Sequence, residues 1–448
     1  MFYGVRITYG VSSWQVFARK NGQALVTLGG SYRREQGSIK AGIRSATPVV
    51  RLVRESDNSL VYNWVAAHTV TDDTWEAEIV IPAGGLYRVE TCLDTVSEKT
   101  GEHWMFRGDI RTHIGCGDVF VIAGQSNAAG YGKGVAFDAP DMRVHVKRNS
   151  GVWDMATHPL NDSTDAYDCP NAPMSILGTS PFLSFGKRHA DYTGCPVGLL
   201  PTAQGGTSIK LWDPRGGILF KNMISKIQRL DNVTGILWYQ GCTDAMNGEA
   251  EGYFDSFLRL VNATRRILKW DIPFYTFQIN AYLADKNNAD WGIVKEAQRR
   301  AAREIPGVYL LPTTGFDLAD DIHNSALSNV RLGEQLADLV NRDVKAPDLE
   351  SAHIENGNIV LKFSNVAGKL YKRDQTAYGS GFKIEDEAGE VPACDIRTLE
   401  DTIILKPSRP LGGSAFISYE YEATPAPFPI MDDVTYLSVI PFYKVKII

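Results

Sequence analysis

Four short segments of this 448-residue chain carry residue types suited to acyl transfer. The first is Ala123-Gly124-Gln125-Ser126-Asn127, at the end of an apolar run (118–124). A small residue and a glycine ahead of a serine, at a strand-to-helix turn, can present a nucleophilic hydroxyl. The same serine could equally cap the helix that follows. The second segment is Thr202-Ala203-Gln204-Gly205-Gly206-Thr207-Ser208. Paired glycines let a backbone N–H approach developing negative charge, as in half of an oxyanion hole, though a tight turn uses glycines too. The third, Trp238-Tyr239-Gln240-Gly241-Cys242-Thr243-Asp244, offers the Gln240 amide as a side-chain donor or as a structural group. In the fourth, Asp317-Leu318-Ala319-Asp320-Asp321-Ile322-His323-Asn324, a carboxylate three residues before a histidine can accept from Nδ1 and leave Nε2 free as a base. There the alternative is a solvated His323 beside helix-capping Asp321 and Asn324.

Each segment follows an apolar run of strand length. Runs at 118–124, 196–203, 233–240, 273–280 and 308–312 alternate with amphipathic stretches of helical length. In the last of these, Leu327, Val330, Leu336, Leu339 and Val340 fall close to i, i+3, i+4 spacing. Buried strands alternating with helices predict a parallel sheet covered on both faces, and such sheets collect ligands at the carboxyl ends of their strands. The first hundred residues and those after Lys345-Ala346-Pro347 read instead as short alternating strands broken by turn residues, with Pro82-Ala83-Gly84-Gly85 as a hairpin turn. The expected division is an N-terminal sandwich-like β-module (1–115), a catalytic α/β domain (116–345) and a C-terminal β-module (346–448).

Composition narrows the partners. With 46 Lys plus Arg against 52 Asp plus Glu, the net charge of -6 lacks the basic excess that a phosphate backbone demands, so nucleic acid is not expected. The six cysteines are scattered, with no C-x-x-C pair and no Cys/His cluster at zinc spacing, so no disulfide framework, metal or other cofactor is expected. No apolar stretch approaches the roughly 20 residues of a membrane span, and the first residues lack a signal-peptide run, which predicts a cytoplasmic location and no membrane partner.

Taken in order, GQSNAAG, GGTSIKLW, WYQGCTDA and D-D-I-H resemble the four blocks of the SGNH (GDSL-like) hydrolases, and within them the sialate O-acetylesterase and acetylxylan esterase-like carbohydrate esterases. The likeness extends through residues 118–345 and more weakly into both flanking modules. It implies a flavodoxin-like three-layer α/β/α fold and a serine esterase that removes O-acetyl groups from an acetylated oligosaccharide or sugar, without metal or cofactor. It further implies Ser126 as nucleophile, His323 as general base, Asp320 as the orienting acid with Asp321 as the alternative, and an oxyanion hole from the Ser126 N–H, the Gly206 N–H and the Gln240 amide. Where relatives often carry a glutamate after Gln-Gly, this chain has Cys242.

Asn127, Tyr131, Trp153 and Trp212 are candidate substrate contacts near the presumed active-site face, Trp153 through a long loop, 131–178, read as a specificity element. A carbohydrate-binding protein without turnover, or a short-chain lipase or thioesterase, are the competing readings.

Overall fold

The computed structural model describes residues 4–34, 42–71, 73–230, 232–284, 288–372, 381–426 and 428–448. At its centre, strands β1 (His103–Gly124), β2 (Val144–Lys147), β3 (Trp153–Met155), β4 (Val197–Pro201), β5 (Gly235–Tyr239), β6 (Phe274–Phe277) and β7 (Val308–Leu311) lie in the order β3-β2-β4-β1-β5-β6-β7. Neighbours are parallel except β3, which runs antiparallel to β2. The five apolar runs of the sequence are all strands here. Strands β2 and β3 lie within the stretch read as a loop. They are only four and three residues long, too short to show a period.

Successive side chains of a strand point to opposite faces. Val119, Val121 and Ala123 of β1, with Ile236 and Trp238 of β5, pack against helices α3 (Ile218–Ile227), α4 (Cys242–Met246), α5 (Tyr253–Leu268) and α6 (Asn288–Glu304). Phe120, Ile122, Leu237 and Tyr239 face the other way, onto α2 (Phe182–Thr193) and α7 (Ala326–Arg342). On α7, Leu332, Leu336 and Leu339 are buried while Leu327 is exposed, so the apolar stripe is narrower than the spacing suggests.

Strand β1 is 22 residues long, and the sequence boundary at 115/116 falls inside it. Its first half pairs antiparallel with Gly84–Ser97, and from Ile114 onward every residue is buried as parallel neighbours flank it. The N-terminal strands therefore continue into the central sheet. Thr74–Pro82 belongs to a separate four-stranded sheet, so Pro82–Gly85 crosses between two sheets and does not close a hairpin. Val26, Leu28, Trp75 and Ile79 of one sheet share a core with Val50, Leu52 and Val89 of the other. After α7 come three small sheets around Leu361, Phe363, Ile403, Ile417 and Phe442. Among the described residues no helix is long and apolar enough to cross a membrane.

Candidate active site

The carboxyl ends of β1, β4 and β5 and the loop after β7 converge through hydrogen bonds. Gly124 closes β1 at φ 124°, and a Cβ there would stand 2.2 Å from the Tyr239 carbonyl, so only glycine lets the chain turn at this point. Gln125 stays extended and donates its N–H to Tyr239 O at 2.9 Å. The short helix α1 (Ser126–Ala129) begins immediately afterwards. Gln125 holds the N-cap position without a side-chain capping bond, and the Ser126 hydroxyl is not spent on capping. Ser126 is 6% exposed.

The loop after β4 is tied to the same turn, since Gln204 N–H donates to Gly124 O at 3.0 Å. Gly206 adopts φ 67° with open space where a Cβ would stand. Among the described residues no group accepts from the Ser126 or Gly206 N–H, so both are available to an anion. The Thr207 hydroxyl donates back to Gln204 O at 2.8 Å, and Ile209 N–H donates to the Asp244 carboxylate at 3.0 and 3.2 Å.

Gln240 is arranged differently from the expectation. It is fully buried, and its amide protons go to Thr207 O at 3.0 Å and to the Asp244 carboxylate. With both protons spent inward, it offers no third oxyanion donor and instead binds the loops after β4 and β5 together. Burial pushes the Asp244 carboxyl up to about 6, against the opposing hydrogen bonds from Gln240 and Ile209. Burial likewise pushes the neighbouring Cys242 thiol up to about 12, which leaves it an inert packing group.

His323 and Asp320 form a tight pair. Nδ1 lies 2.7 Å from Asp320 Oδ2, while Oδ1 accepts from the Ile322 and His323 N–H groups at 2.9 and 2.8 Å. Partial burial works to raise the Asp320 carboxyl, but these hydrogen bonds outweigh it and hold the group below the usual carboxylate range. Asp321 does not reach the ring. It faces solvent, and its carbonyl accepts from Leu283 N–H at 2.9 Å. With a carboxylate at Nδ1, the ring presents Nε2 as the proton acceptor.

Of the four candidate substrate contacts, Tyr131 and Asn127 stand beside this pair. The Tyr131 ring lies 5.3 Å from the His323 ring between centroids, and its hydroxyl flanks Gly205. Trp153 is 4% exposed and packs in the core on β3, and Trp212 is fully buried edge-on to Trp238, so neither presents a ring face to solvent. Asn127 is buried too. Its amide donates to Ile322 O and accepts from Asn324 N–H, joining the serine turn to the histidine loop.

The segment that holds these serine, glycine and histidine loops matches a known family. Its profile, described as carbohydrate esterase, sialic acid-specific acetylesterase, covers residues 116–342. The chain belongs to this carbohydrate esterase family. A probable carbohydrate esterase of Arabidopsis thaliana is 27% identical over 254 residues, which are 51% of this chain and 92% of that protein. The crystal structure of a carbohydrate acetylesterase from Xanthomonas citri superposes with a TM-score of 0.68 at 21% identity, over 96% of this chain and 97% of that one. That likeness extends the shared fold beyond the esterase segment to the β-sheets at both ends.

Two supporting residues of this carbohydrate esterase carry no signal of their role in residue type or spacing. Gln125 Oε1 accepts from Gly241 and Thr243 N–H at 3.0 and 3.3 Å, and Asp244 holds Ile209 and Gln240. Gln125 lies in GQSNAAG and Asp244 in WYQGCTDA, but the partners of both come from other loops.

Proposed function

We propose that this carbohydrate esterase is a serine O-acetylesterase, cleaving acetyl esters of carbohydrate hydroxyls through Ser126, His323 and Asp320. The observation that carries this reading is the Asp320–His323 pair at 2.7 Å, joined through Asn127 to a serine whose hydroxyl caps nothing. His323 Nε2 takes the Ser126 proton as Oγ attacks the acetyl carbonyl. The oxyanion of the tetrahedral intermediate is held by the Ser126 and Gly206 N–H groups. The imidazolium then protonates the departing sugar oxygen, leaving acetyl-Ser126. Water, deprotonated by the same nitrogen, releases acetate and restores the serine. Asp320, ionised through the neutral range, steadies the imidazolium.

We read the sheet with its two helical layers as the SGNH three-layer arrangement, with residues 116–345 as the catalytic domain and 1–115 and 346–448 as flanking β-modules. Acetylated hemicellulose oligosaccharides and O-acetyl sialic acid are the candidate substrates. The test is acetate release by Ser126→Ala from p-nitrophenyl acetate and acetylated oligosaccharides. Loss of turnover with an unchanged circular dichroism spectrum is expected, and wild-type turnover would overturn the reading.

A further inference from the structure

Two neighbouring stripes of α6, each at i, i+4, i+7 spacing, face different parts of the molecule. Trp291, Lys295 and Gln298 form the first, and all three are buried. This stripe meets the strand-end loops. The Gln298 amide accepts from Ile279 N–H at 3.0 Å and donates to Gln240 O at 2.9 Å, while the Trp291 indole donates to Asn280 O at 2.7 Å and stacks on Tyr282. Gly292, Glu296 and Arg299 form the second stripe, which meets the C-terminal sheets. A Cβ on Gly292 would stand 2.8 Å from both the Tyr421 and Tyr443 rings, so only glycine admits this stacked pair. The Glu296 carboxylate accepts from Tyr443 N–H at 3.1 Å, and Arg299 donates to Leu349 O at 2.8 Å.

Lys295 joins the two sides. Its ammonium is fully buried and donates to Glu420 O at 2.7 Å and to Glu422 O at 3.1 Å, which ties residues 420–424 to the helix. Taking a cation out of water is costly even when its hydrogen bonds are met, so a lysine here points to a geometric role more than to stability. Residues 420–424 in turn hold the loop after β6. Ala423 O accepts from Tyr282 N–H at 2.7 Å, and the Thr424 hydroxyl donates to Tyr282 O at 3.3 Å. The next residue reaches the loop that carries Asp320 and His323, since Leu283 N–H donates to Asp321 O at 2.9 Å. Asn280 braces the flanks of that loop, its amide donating to Phe316 O at 3.2 Å and to Asn324 Oδ1 at 2.8 Å. The C-terminal region also touches the root of the loop directly: a Cβ on Gly315 would stand 2.7 Å from the Pro429 ring.

We propose that residues 420–424 of the C-terminal region are a positioning element for the base His323, and that Lys295 is the positioning residue that fixes them. Neither touches substrate. Lys295 sets 420–424 on α6, 420–424 set Tyr282 and Leu283, and Leu283 with Asn280 holds the histidine loop at Phe316, Asp321 and Asn324. Asp320 and His323 lie within that span, so a shift of 280–283 moves the imidazole relative to Ser126. A displacement of about 1 Å at a general base is enough to slow the chemical step severely. Resting on the serine O-acetylesterase reading, this gives the C-terminal sheets a part in the chemistry of that same site.

The test combines kinetics on p-nitrophenyl acetate with amide hydrogen exchange, both on the full chain. Lys295→Met keeps the length of an apolar stem and removes the donor. It should lower kcat about tenfold with KM within about twofold, because the ester pocket is untouched while the base is displaced. Exchange should rise about tenfold at the Leu283 amide and across 316–325, and stay at the wild-type rate in β1 and β5. Gly292→Ala is the second variant. Alanine favours a helix interior over glycine, so α6 is kept, while the methyl group wedges Tyr421 and Tyr443 away. It should move kcat and the same amides in the same direction. Wild-type kcat and exchange in a folded variant would overturn the proposal, as would a rise in exchange spread evenly over the chain, the mark of a merely structural role. Failure of the wild-type protein to cleave p-nitrophenyl acetate would instead overturn the esterase reading, and the exchange arm does not depend on turnover.

Discussion

Asn127 and Asn324 lock the two halves of the candidate catalytic set together: the Asn127 side-chain oxygen accepts from the Asn324 N–H at 3.1 Å. Each is the residue immediately after a proposed catalytic group, so this hydrogen bond, with that from the Asn127 amide to Ile322 O at 3.3 Å, sets the approach of the serine turn to the histidine loop. The Asn324 side chain extends the bracing, donating to the Tyr239 hydroxyl at 3.2 Å and accepting from Asn280 at 2.8 Å.

Asn127→Ala is expected to leave Ile322 O and the Asn324 N–H unpaired in a buried setting, costing about 1–3 kcal/mol of stability. Loosened alignment should lower kcat by up to about 10²-fold with little change in KM. Urea denaturation and steady-state kinetics on an aryl acetate read the two effects separately.

The choice between adjacent acids is testable because only Asp320 reaches the imidazole. Asp320→Asn should reduce kcat by about 10²- to 10⁴-fold through loss of tautomer control and charge stabilisation. Asp321→Asn, at an exposed side chain, should stay within about twofold of the wild type. Equal losses in the two variants would refute the assignment.

Gly206 has room for a methyl group but not the backbone preference for one, since its φ of 67° costs an L-residue about 1–2 kcal/mol. In Gly206→Ala the loop should relax and turn its N–H away from the oxyanion, reducing kcat by about 10²- to 10³-fold. The reading predicts unchanged secondary structure by circular dichroism alongside that loss.

Asp244 supplies a pH signature of stability. Burial raises its folded-state value to about 6, above the usual carboxylate value of about 4 in an unfolded chain. A raised acid favours folding only while protonated. Its contribution is therefore intact below pH of about 4, is lost as pH climbs from about 4 to about 6, and stays lost above that, a change of about 2–3 kcal/mol. Urea unfolding from pH 4 to 7 should show this decline in the wild-type protein and a flatter profile in Asp244→Asn; parallel profiles would contradict it.

Much of the chemistry was legible in the residues themselves. A strand-end serine after Ala-Gly, a Gly-Gly loop and an Asp-x-x-His loop follow apolar runs whose length and order dictate a parallel sheet, and such sheets gather their strand-end loops at one edge. Asp-x-x-His spacing also favoured Asp320 over Asp321, because a short turn fixes that pairing within a few residues of chain. Tertiary structure decided what depends on distant partners. Gln240 turns inward because Asp244 and Thr207 O take its protons, a choice made by packing between two loops. Trp153 is buried because β3 adds to the edge of the sheet, although its surrounding sequence reads as loop. The position 115/116 falls within β1, since one strand can serve two sheet environments when its neighbours change along its length. Residue type and local spacing specify which groups are present and in what order; the direction each group points is set by contacts that form only when remote segments pack.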